Sequence, residues 1–77
     1  MAITQDIIPT KTALAYRLTH LTNRPIEYVG FHHIPELREH VCRISGPDIL
    51  AQWFIPDNAD LNVIIHAFKD QYPELLV

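Results

Sequence analysis

Residues 26–55 read IEYVGFHHIPELREHVCRISGPDILAQWFI, and this stretch decides the fold. It divides into three short runs rich in β-branched and aromatic residues, separated by two turn signals. The first run, residues 26–34, stops at Pro35. The charged segment PELRE (35–39) turns the chain. Residues 40–45 form the second run, Gly46-Pro47-Asp48 the second turn, and residues 49–55 the third run. Alternation along each strand sorts the side chains into two faces. Val29 and Phe31 share the expected core face, opposite Tyr28, Gly30 and His32. In the third run Ile49, Ala51, Trp53 and Ile55 oppose Leu50 and Phe54. Both faces are apolar there, as in a central strand covered on both sides or an outer face buried against a second subunit.

The flanks read as helices. Leu14, Leu18 and Leu21 recur at helical spacing over residues 10–22, with Asn23 suited to the left-handed position beyond the end and Pro25 blocking continuation. Thr19 and Thr22 are mediocre helix formers, so the last turn is expected to fray. Leu61, Ile64, Ile65, Phe68 and Tyr72 stripe a second helix over residues 59–71, with Asp57 as its expected cap and Pro73 as its stop. Leu75, Leu76 and Val77 form an apolar tail expected to tuck back. The lead, residues 2–9, contains Ile3, Ile7 and Ile8 ahead of Pro9. An extended segment along the sheet fits it, and an alternative makes residues 3–8 a fourth strand. The expected architecture is a single two-layer α+β domain over residues 1–77: a three-stranded antiparallel sheet with two helices, in the order α-β-β-β-α.

Composition limits the function. The chain has 77 residues, 48% of them hydrophobic and 19% charged, which argues against disorder. A domain of this size is expected to be stable by roughly 4–12 kcal/mol. It carries more apolar surface than so short a chain readily hides, so self-association or a protein partner is expected. The net charge is −3, and the six cations, Lys11, Arg17, Arg24, Arg38, Arg43 and Lys69, are scattered. That is a poor counterpart for nucleic acid, unless Lys11, Arg17 and Arg24 form a stripe, and for an anionic membrane. One cysteine excludes an internal disulfide and fits a reducing cytosol. The opening MAITQDIIPTK has no basic region followed by an apolar run, so it does not read as a signal peptide. The expected location is cytoplasmic.

Five histidines, His20, His32, His33, His40 and His66, accompany Cys42. His33, His40 and Cys42 lie around the first hairpin and are the candidate metal ligands, because zinc takes nitrogen and sulfur donors. Their spacing matches none of the strong zinc patterns, and the simpler reading is ordinary strand histidines with Cys42 as a small core residue. A thiolate nucleophile would need a base and an orienting group, which nothing in the sequence places. The two glycines, Gly30 and Gly46, stand too far apart for a phosphate loop. No cofactor is expected.

The order of elements resembles that of double-stranded-RNA-binding domains. Those domains use basic residues at the start of the second helix. Here that segment reads Asp57-Asn58-Ala59-Asp60, which would repel phosphate. The expected function is therefore non-catalytic protein–protein interaction, as an adaptor, regulator or accessory subunit. Tyr28, His32, Arg43 and Trp53 are the expected interface residues, since tryptophan, tyrosine and arginine dominate interface hot spots. For Trp53, core is the default reading and an interface anchor the alternative.

Overall fold

The computed structural model describes residues 3–77. Helix α1 (Ile3–Thr22) is followed by strands β1 (Tyr28–Ile34), β2 (Glu39–Gly46) and β3 (Ile49–Pro56), then helix α2 (Leu61–Gln71). Short 3-10 turns occupy Pro35–Leu37 and Pro73–Leu75. The α-β-β-β-α order and the antiparallel meander β1-β2-β3 agree with the sequence reading. β2 is the central strand. β3, the most apolar strand, lies at an edge, which removes the covered-central-strand reading of its two apolar faces.

The N-terminal expectation is overturned. Residues 3–8 are the start of α1, not an extended segment or a fourth strand. Pro9 lies in the interior of α1, where proline forgoes one amide donor and is unfavourable, which is why it reads as a boundary in the sequence although the helix continues through it. α1 ends as expected, at Asn23 with φ 54°. Its last turn is held rather than frayed. The Thr22 hydroxyl donates to the Leu18 carbonyl at 2.7 Å and accepts from the Arg24 amide at 3.3 Å. The Thr19 hydroxyl donates to the Ala15 carbonyl at 2.7 Å and accepts from the Ile26 amide. Each threonine thus exchanges helix propensity for a bond that steers the chain into the sheet.

The core lies between the helices and one sheet face. Leu14 and Leu18 of α1, and Ile64, Ile65 and Phe68 of α2, meet Cys42, Ile44, Ile49, Ala51, Trp53 and Ile55. Trp53 is 1% exposed, donates from Nε1 to the Ile64 carbonyl at 3.1 Å and packs on Phe68. The cap of α2 is Asp60, which accepts from the Val63 amide at 2.9 Å, not Asp57. The C-terminal tail does tuck back: the Val77 amide donates to the Leu21 carbonyl, and Arg24 reaches the Leu75 carbonyl.

Two glycines have contact reasons rather than dihedral ones. A side chain at Gly30 would strike the Tyr28 ring, which lies across it on the outer face. One at Gly46 would strike the Pro25 carbonyl.

Candidate functional site

Two features present chemistry to solvent: the outer face of the sheet, and a polar cluster at one end of its inner face.

Among the described residues, the helices cover only one side of the sheet. Register places four rows across the outer face. Tyr28, Ser45 and Leu50 form one, and Gly30, Arg43 and Gln52 the next. His32, Val41 and Phe54 form the third, and Ile34, Glu39 and Pro56 close the end. Tyr28 is 55% exposed, Leu50 66% and Phe54 49%, unusual values for large apolar side chains on a sheet. Arg43 and His32 are exposed among them. Three of the four residues read from the sequence as an interface, Tyr28, His32 and Arg43, therefore share this face. The fourth does not. The Trp53 side chain points to the helices and is core, because alternation along β3 sets it with Ile49, Ala51 and Ile55. Leu50 and Phe54 take its place. Their signal was the apolar second face of β3, which the sequence did display.

The outer edge of β3 is partly closed. Tyr72, just past α2, accepts from the Gln52 amide at 3.2 Å and donates to the Gln52 carbonyl at 2.8 Å. A side-chain hydroxyl thus occupies the position a fourth strand would pair with.

The polar cluster is His33, His40 and Asp57. His33 and His40 are cross-strand partners, and their rings stack at 4.6 Å with 24° between planes. The loop between them turns sharply, with Arg38 in the left-handed conformation at φ 54°. The Arg38 carbonyl accepts from the Asp57 amide at 3.1 Å, which fixes the chain after β3 beside the hairpin. Asp57 Oδ1 then lies 3.3 Å from His33 Nε2 and 3.2 Å from His40 Nδ1. All three side chains remain accessible to solvent.

Cys42 does not join this group. It faces the same side of the sheet, one pair further into the core, and is fully buried. Burial pushes its thiol up to about 12, which leaves it a poor nucleophile, and its sulfur lies outside the group of donors that converge at the end of the sheet. The metal set His33, His40 and Cys42 is corrected accordingly: Asp57 stands where the cysteine was expected. Sequence reading missed Asp57 because it fitted a helix cap.

No helix among the described residues is long and apolar enough to cross a membrane. No protein-family model, curated protein or solved structure matches the chain.

Proposed function

We propose that the protein is a non-catalytic interaction module that works through the open face of its sheet, and that its first partner there is a second copy of itself. The supporting observation is the uncovered outer face bearing Tyr28, Leu50 and Phe54 beside Arg43. Apolar groups gathered on one face, away from the core, mark an interaction surface.

The charge pattern selects the partner. Glu39 and Arg43 stand on the central strand, one pair either side of Val41. Neither has an ion-pair partner among the described residues. A two-fold axis along the row His32–Val41–Phe54 would stack Phe54 on its copy and set each Glu39 against the other chain's Arg43. Such a surface is self-complementary, as an isologous dimer requires. Three strands abreast, each seven or eight residues long, offer roughly 350–400 Å² per copy. Two faces would bury about 700–800 Å², the size of a weak, transient contact rather than an obligate one. The buried thiol supports the non-catalytic part of the reading, and a free cysteine fits a cytosolic setting.

Sedimentation equilibrium over a concentration series tests this. The wild type is expected to dimerise in the micromolar range and Phe54→Arg to stay monomeric and folded. A wild type that remains monomeric at several hundred micromolar would defeat the self-association reading.

A further inference from the structure

We propose that His33, His40 and Asp57 form a binding site for a zinc-class divalent cation, independent of the open sheet face. Their donor atoms, one from each residue, all lie within 4.8 Å of one another. Zinc bound at about 2.0–2.1 Å to nitrogen and oxygen donors in a tetrahedron separates those donors by about 3.3 Å. The carboxylate oxygen already stands 3.3 and 3.2 Å from the two ring nitrogens. The carboxylate thus stands at ligand spacing from both nitrogens, and ion binding requires the two stacked rings to turn about their side-chain bonds so that both nitrogens aim at the shared point.

The donor set defines the cation. Two imidazole nitrogens and one carboxylate oxygen suit zinc and its borderline neighbours rather than calcium or magnesium, which prefer oxygen cages. The frame favours binding as well. Cross-strand pairing fixes His33 against His40, and the Arg38–Asp57 backbone bond fixes the third ligand. Ligands carried on paired strands lose little freedom when the ion arrives. Three protein donors leave the fourth position to water from the open side of the cluster. Such a site can stabilise the domain or recruit a ligand group to the ion.

The test is calorimetric titration of the full, untagged, chelator-treated chain with zinc chloride, alongside thermal melting. One equivalent is expected to bind. Zinc at a hundred times its Kd should raise Tm by on the order of ten degrees. His33→Gln, which alters a half-exposed side chain and leaves the fold intact, should weaken binding at least tenfold, as should Asp57→Asn. His32→Gln, on the opposite face, and Cys42→Ala should each retain the single equivalent. Cobalt substituted for zinc should show visible bands of a nitrogen–oxygen site without thiolate charge transfer. Absence of saturable binding would overturn the proposal. So would binding that survives His33→Gln and Asp57→Asn, or binding lost in a folded Cys42→Ala protein. Dimerisation measured with and without zinc separates this result from the fate of the open-face reading.

Discussion

Cys42 and Trp53 show how a single position on an alternating strand decides a residue's chemistry. Cys42 is raised to about 12 by burial from its ordinary 9.0. Between those two pH values the unfolded chain holds a thiolate while the folded chain keeps its proton. The unfolded state then binds fewer protons, so this residue's contribution to stability is complete below pH 9 and falls as pH rises toward 12. Denaturant melts at pH 8 and pH 10.5 should show a loss for the wild type that is smaller in Cys42→Ala. The thiol should also resist iodoacetamide in the native protein and react promptly once denaturant unfolds it. For Trp53, Ala should cost about 3–5 kcal/mol, comparable to the lower range of the domain's whole stability. Trp53→Phe should cost less, because it keeps most of the packing and loses the bond to the Ile64 carbonyl. An interface role would instead leave the Trp53→Ala chain folded.

At the scale of elements, strands were easier to read than the N-terminal helix. The three strand runs, both turns and the stripe of α2 follow from period-2 and helical spacing, and each stands where that spacing put it. The start of α1 was hidden because isoleucine serves helix and strand alike and Pro9 imitates a boundary. The second apolar face of β3 was ambiguous, because it looks the same on a central strand and on an exposed edge, although the two turn signals already implied the hairpins that put β3 at an edge. Tyr72 could not be foreseen as an edge cap, since its spacing fits the α2 stripe equally well. Removing its hydroxyl in Tyr72→Phe should cost about 1 kcal/mol in chemical denaturation and increase aggregation on storage, because Gln52 then presents an unpaired edge. Unchanged stability and solubility would mean that the Tyr72 bonds are incidental. Asp60→Ala should likewise lower stability by about 1 kcal/mol through loss of the α2 cap, measured in the same way.

For the molecule as a whole, the two-layer design leaves half of the sheet facing solvent. Helices α1 and α2 cover the inner face, and part of the apolar excess noted in the composition appears outside as Tyr28, Leu50 and Phe54, the rest being spread over Tyr16, Leu37, Val63 and Val77. The sequence conveyed that excess and set Tyr28 and His32 on one strand face, whereas the register of the hairpin is what brings Arg43 alongside them. The convergence of Asp57 on two histidines was not legible, because it is produced by three separate segments meeting at the end of the sheet. The register also sets Glu39 and Arg43 either side of Val41, and dimerisation through the open face depends on that pair. Sedimentation equilibrium of the wild type, Glu39→Arg, Arg43→Glu and the doubly reversed chain would measure it. Each single reversal places two like-charge contacts in the dimer and should weaken association at least tenfold, whereas the double reversal should restore it to near the wild-type value. Equal association in all four chains, or a double variant weaker than either single one, would contradict dimerisation through the open face.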